Sequence, residues 1–309
     1  MRKYSRRFLL AYLLALCLNG DTQTTQPFAG VTHISRNEDS PRKVSIHLVK
    51  IDLTTPGLSF KLTSPSGSRE TVRQTTLDFL KQEKAQIALN GHFFFPYPSP
   101  DEESFLIGLA ASNGNVFSAF EAPVQSYAIV TNAPALNIDD KNEASIIVPS
   151  SVDKVKLWTA ISGSAQIITN GKSTIPTYKD DEHPDGLLTP GGPNRYDNSN
   201  SWCDVPNART VVGLSEDNRT LFLFTVDRAG GSQGMKVSEV ARLLIDDYGV
   251  SNALNLDGGG STTLAMEDLS VGEARIINTS SDNPKGRAVA SNLAVFAPAL
   301  PAKTSSPLY

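Results

Sequence analysis

The stretch Ala253-Leu254-Asn255-Leu256-Asp257-Gly258-Gly259-Gly260-Ser261-Thr262-Thr263 decides how the rest of the chain is read. Its first four residues are mostly apolar and read as the end of a buried strand. A carboxylate, three glycines and three hydroxyls then follow without a break. Three successive glycines cost backbone entropy, so they suit a place where the main chain bends sharply or touches a ligand. Exposed N–H groups in such a loop form an anion-binding concavity, and Asp257 at the strand end is placed to meet the same ligand. The plain alternative is a glycine turn after a strand, although turns seldom carry this many polar side chains beside a carboxylate.

Working upstream from the loop, Val240/Leu244 and Ala241/Ile245 repeat at i,i+4, which predicts a helix over Val237–Tyr248 stopped by Gly249. Before it, Arg209-Thr210-Val211-Val212-Gly213-Leu214 and Leu221-Phe222-Leu223-Phe224-Thr225-Val226 predict paired strands, with Glu216-Asp217-Asn218 as the turn. Arg209 at the mouth of a buried strand needs a partner. A guanidinium forks two hydrogen bonds onto a phosphate better than a lysine does, and a structural pair with a carboxylate is the alternative. Asp227 ends the second strand. Gly230-Gly231-Ser232-Gln233-Gly234 matches the G-x-S-x-G nucleophile pattern. All four histidines precede Ser232, so the usual Ser–acid–His order cannot be built, and a serine hydrolase would need His92 or His183 in a convergent arrangement.

Nearer the N-terminus, period-two alternation over Val44–Leu53 predicts a strand, with His47 on its polar, solvated phase, and Leu58–Leu62 a partner strand. Thr75 and Asp78 make a capping-box-like start for a helix over Thr76–Lys84. Gln86–Leu89 then reads as a buried strand delivering Asn90-Gly91-His92, where Asn90 is a candidate sugar contact. From 105 to 170 short apolar runs alternate with turns such as Asn113-Gly114 and Asn170-Gly171, the pattern of an antiparallel sheet. Residues 172–206 lack periodicity and read as a lid or binding wall, with His183, Asp185, Tyr196 and Trp202 as candidate contacts. The fold expected is α+β, a large mixed, mainly antiparallel sheet with a few packed helices.

Four blocks, Ala88–Phe94, Ala208–Gly213, the glycine loop and Arg287-Ala288-Val289-Ala290-Ser291-Asn292-Leu293-Ala294-Val295, together resemble the phosphodiester glycosidases related to the lysosomal uncovering enzyme, in the family's order. The resemblance implies hydrolysis of a sugar-1-phosphodiester at the sugar carbon, with a phosphorylated carbohydrate as partner and no cofactor. Residue by residue, it implies that Arg209 and Arg287 bind phosphate with help from the Gly258, Gly259 and Gly260 amides. Asn90, Ser261, Thr262 and Asn292 then meet the sugar, and Asp257 supplies a carboxylate whose role, nucleophile, base or sugar binder, stays open. Asp227 is the candidate second carboxylate. His92 stands where the family often has a second glycine, a departure that narrows the pocket or adds a sugar contact. The four histidines show no metal-ligand spacing.

The whole chain has 309 residues, 39% hydrophobic and 19% charged, with a formal net charge of −4 and no strong basic run. That suits a globular protein and argues against a nucleic-acid partner. Arg2, Lys3, Arg6 and Arg7 precede an apolar run, Phe8–Leu18, too short to favour a spanning helix. This predicts a signal peptide over 1–20 and export to the periplasm or medium, with no transmembrane segment once it is removed. Leu16 occupies the place where lipidation of Cys17 expects a small residue. Cys203 would then be a lone packed thiol. The remaining divisions expected are a mobile leader over 21–43, one catalytic domain over 44–298 and a tail over 299–309. The competing class of function is a non-catalytic envelope module that binds glycans.

Overall fold

The computed structural model describes residues 21–120, 127–268, 271–279 and 283–301. The signal segment 1–20 and residues 302–309 of the tail lie outside the described residues.

The strands form three larger sheets, and every pairing between the named strands is antiparallel. The expected single large mixed sheet is therefore divided, while the strand-rich α+β character holds. The largest sheet runs in the order Asp21–Phe28, Val31–Glu38, Val44–Asp52, Thr220–Val226, Arg209–Leu214, Asn252–Asn255, Ala165–Thr169, Lys172–Ser173. The second runs Glu273–Ile276, Leu264–Asp268, Ile87–Asn90, Asn292–Phe296, Ser59–Leu62. A third, around Ala110–Ser112, Thr159–Ser162 and Ala135–Ile138, packs against both.

Side-chain alternation at period two explains the layering. Val212, Leu221, Leu223 and Leu254 point from the largest sheet into one core shared with Leu62, Leu89, Leu264 and Leu293 of the second. Their neighbours Val211, Phe222, Phe224 and Ala253 point the other way, onto Val240, Ala241 and Leu244 of the helix α2, Val237–Tyr248. On the far side of the second sheet, Ala88, Ala265 and Ala294 receive Phe79 and Leu80 of α1, Thr76–Glu83. The order is thus helix, sheet, sheet, helix. The local signals match: the Thr75 hydroxyl accepts from the Asp78 N–H at 3.1 Å, and Gly249 closes α2 with φ +68°. Asn113-Gly114 and Asn170-Gly171 take φ values of 49°, 77°, 50° and 71°, the left-handed pairs that tight hairpins need.

Two readings are corrected here. Residues 21–43 are not a mobile leader, because Asp21–Phe28 and Val31–Glu38 form a hairpin that extends the largest sheet beyond Val44–Asp52. That hairpin also covers His47, which is 8% exposed and stacked on His33 with ring centroids 5.5 Å apart, not solvated. Burial and the neighbouring His33 hold the His47 pKa down to about 4.

Candidate active site

The glycine loop is where the chain crosses from the largest sheet to the second. Leu256 still belongs to the first, donating its N–H to Thr210 O at 2.8 Å. Asp257 donates to Gly91 O at 3.1 Å, beyond the end of the Ile87–Asn90 strand, and by Leu264 the chain is paired with Leu89. Between these points Gly258–Thr262 must turn within a few residues. A Cβ on Gly258 would lie 2.8 Å from Ala208 O, and Gly259 has φ +59°, so both positions favour glycine for steric reasons.

Three loop amides are spent on main-chain carbonyls: Gly259 N–H on Ala208 O at 2.9 Å, Ser261 on Gly258 O at 3.1 Å and Thr262 on Gly259 O at 3.2 Å. Of the three amides expected to cradle an anion, that of Gly259 is therefore taken by a main-chain carbonyl.

Asn90 is 0% exposed, and its amide sutures the crossing. Nδ2 donates to Asp257 O at 2.7 Å, while Oδ1 accepts from the Thr210 hydroxyl at 2.9 Å and from the Thr263 N–H at 3.0 Å. Thr210 Oγ1 also lies 3.3 Å from Thr262 Oγ1, whose hydroxyl can donate to it, and Thr262 is buried. Arg287, half-buried, donates from Nη1 to the buried Ser261 Oγ at 3.0 Å and lies 4.7 Å from the Tyr97 ring centroid. Asn90, Asp257, the start of the Arg209 strand and Arg287 therefore meet at one loop.

Several side chains do not sit as the sequence suggested. His92 is wholly buried, with Nδ1 2.9 Å from Ser291 Oγ and Nε2 3.0 Å from both Leu109 O and the Ser162 N. Desolvation holds its pKa down to about 4, so it is a neutral packing group and not a sugar contact. Asn292, also buried, accepts from the Thr76 hydroxyl at 2.7 Å and ties α1 to the second sheet. The Arg209 guanidinium is buried against Trp202. Its Nε donates to Met235 O at 3.1 Å, and Nη2 donates to Trp202 O and Val205 O at 3.0 and 2.5 Å. Neither a fork onto phosphate nor a carboxylate pair describes that arrangement. Desolvation lowers the Arg209 pKa to about 10.

Asp227 is 1% exposed and is held by Asn278 Nδ2 at 2.8 Å and the Thr279 N–H at 2.9 Å. Burial raises its pKa to about 6, with those two donors pulling the other way. Asn278 also donates to Thr262 O at 3.1 Å and accepts from the Leu264 N–H at 2.8 Å, so it relays Asp227 to the loop. Nothing in the pattern around Ile276-Ile277-Asn278 marks it. Tyr97, Asn207 and Arg228 were likewise missed, each lying in an aperiodic or turn segment.

Ser232 Oγ donates to Asp227 O at 2.5 Å and accepts from the Ser45 N–H at 3.0 Å. It has no histidine partner, which removes the serine-hydrolase reading. In the 172–206 segment, Tyr196 stacks on Tyr127 at 6.0 Å, Trp202 packs under Arg209, and His183 pairs with Asp180 at 2.9 Å, while Asp185 is exposed. Among the described residues no group of three or more His, Cys, Asp or Glu side chains is arranged to hold a metal ion, and no helix is long and apolar enough to cross a membrane.

A hypothetical protein from Synechocystis shares the fold with TM-score 0.63 and 14% identity, over 90% of this chain; this chain spans 64% of that one. The catalytic domain of zebrafish N-acetylglucosamine-1-phosphodiester alpha-N-acetylglucosaminidase, auto-inhibited by its pro-peptide, superposes with TM-score 0.60 and 21% identity, over 90% of this chain and 88% of its own. No curated protein matches the sequence. Residues 83–296, which hold all four blocks around the loop, match the phosphodiester glycosidase family, and the chain belongs to that family.

Proposed function

We propose that the chain is an exported hydrolase that cleaves a sugar-1-phosphodiester at the anomeric carbon, acting on an envelope polysaccharide or a related glycan. The observation that carries this reading is the setting of Asp257. It is the carboxylate of the glycine loop, partly exposed, with its main chain held on one side by Gly91 and on the other by Asn90. A carboxylate whose main chain is so fixed meets an anomeric carbon at a smaller entropic cost at each turnover.

Glycosidases that expel an alkoxide generally need two carboxylates, one of them to protonate the leaving oxygen. A departing phosphomonoester has a second pKa of roughly 6, so it leaves near neutral pH with less need of a proton. One partly exposed carboxylate therefore suffices, and the burial of Asp227 fits a supporting role, through Asn278, for the loop. Arg287, bonded to Ser261, brings positive charge to the phosphate side of the same turn.

The test is release of free reducing sugar from a panel of UDP-sugars and other sugar-1-phosphodiesters. Asp257→Asn keeps shape and removes charge, so it should lower kcat by about 100-fold or more while leaving KM nearly unchanged. Full turnover by that variant would take Asp257 out of the chemistry. Binding across the panel without turnover by the parent would instead favour the glycan-binding module. Export rests on the charged start and short apolar run; protein recovered from the native envelope or medium should have an intact mass beginning beyond Leu18, and a full-length cytosolic chain would contradict it.

A further inference from the structure

With the Gly259, Ser261 and Thr262 amides and the Arg209 Nε and Nη2 groups spent on carbonyls, a phosphate at this loop calls for further donors. We propose that Arg228 and Asn207 form a phosphate-binding site on the rim of the glycine loop, a proposal that takes its substrate from the hydrolase reading above.

The first support is a charge imbalance. Arg209 is buried, and among the described residues it makes no ion pair; its hydrogen bonds go to neutral carbonyls. A buried guanidinium in that state keeps its full charge without a counter-ion. Arg228 adds a second positive charge close enough to disfavour protonation of Arg209. It too makes no ion pair among the described residues, and it is exposed. Two guanidiniums that act on each other in this way, neither in an ion pair among the described residues, make a local field that an anion offsets.

The second support is the way the donors are held. Arg228 follows Asp227, whose carboxylate is pinned by Asn278 and Thr279, so the main chain at its root is fixed. From there Arg228 Nη1 reaches Asn207 Oδ1 at 3.3 Å. Asn207 is locked by reciprocal main-chain bonds with Met235 at 3.1 and 3.0 Å. Its Oδ1 also accepts from the Ala208 N–H at 2.9 Å. With both of those contacts on Oδ1, the Nδ2 amide is left as a donor. It lies 3.8 Å from where a Cβ on Gly259 would stand, over the bare face of the loop.

The return segment is tightly seated as well. Gly230 and Gly234 have φ of +63° and +76°, and a Cβ on Gly234 would lie 2.6 Å from the Asn207 main chain. Arg287 reaches Ser261, two residues beyond Gly259 on the same turn. A guanidinium, an amide N–H and a second guanidinium around a side-chain-free turn match the oxygens of a phosphate mono- or diester.

Inorganic phosphate titrated calorimetrically into the full chain tests this directly. Arg228→Gln should weaken phosphate binding by roughly tenfold or more, the loss expected for a charge-assisted hydrogen bond. Arg228→Lys should retain part of it, and the exposed control Arg219→Gln should bind like the parent. Melting temperatures without phosphate should agree among all four, since both arginines are exposed. Parent-like phosphate binding by Arg228→Gln would overturn the proposal, as would absence of binding to the parent at millimolar phosphate. Diester turnover separates the two readings. Phosphate binding lost in Arg228→Gln, in a chain whose parent releases no sugar, upholds the site and removes the hydrolase. Release by Arg228→Gln at the parent's KM removes the site and keeps the hydrolase.

Discussion

Asn90 uses its side-chain amide to join three segments that are far apart in sequence, taking bonds from Thr210 and Thr263 and giving one to Asp257. Such an amide is read from sequence as a ligand contact because its residue type suits a sugar. Its direction depends on residues 120 and 173 positions away, which no local pattern encodes. Asn90→Ala would leave the Thr263 N–H and the Asp257 carbonyl without this partner in a buried setting, and an unmet buried polar group costs about 1–3 kcal/mol. The expected loss of stability is therefore about 2–5 kcal/mol, read by urea unfolding. Sugar release should fall with it, because the Asp257 main chain is freed on one side. A loss within about 0.5 kcal/mol, the range of ordinary surface changes, would show that Asn90 does not pin the loop.

At the scale of elements, what was legible depended on how local the cause is. The Thr75 cap, the Gly249 stop and the Asn-Gly turns are each fixed within a few residues, and each was readable. The buried Arg209–Leu214 and Thr220–Val226 strands were readable because their side chains are apolar on both faces. The hairpin of Asp21–Phe28 and Val31–Glu38 was not. Asp21–Gln26 are partly or fully exposed on both faces, so no apolar phase reveals the strand, and the ladder to Val44–Asp52 supplies the order instead. His47 was misread for the same reason, since the element that covers it was not visible. The glycine loop was legible as a sharp bend of the main chain, but its Asp257 and Gly259 amides turn inward because Gly91 and Ala208 offer carbonyls at the crossing. Arg209 shows the same limit: its partners Trp202 and Val205 come from an aperiodic segment.

For the whole molecule, buried titrating groups set a pH dependence whose sign can be worked out. His47 and His92 are buried in the two sheet regions, and desolvation holds each near a pKa of about 4. Unfolded, a histidine titrates near 6.5, so the unfolded state takes up the protons first as pH falls. The stability each contributes is present above about 6.5 and is lost progressively down to about 4. At 1.36 kcal/mol per pKa unit, that is about 3 kcal/mol for each ring. Asp227 acts in the opposite sense. Its folded pKa is raised to about 6, so its contribution is present below the unfolded value near 3.9 and is lost as pH rises through 6. Over the same window it returns about 3 kcal/mol on acidification, roughly half of what the two histidines lose. The melting temperature should therefore fall between pH 7 and 4. His47→Gln should flatten that fall, and Asp227→Asn should steepen it by removing the opposing term. A parent whose melting temperature rises on acidification across this window would mean that the buried histidines do not dominate its acid response.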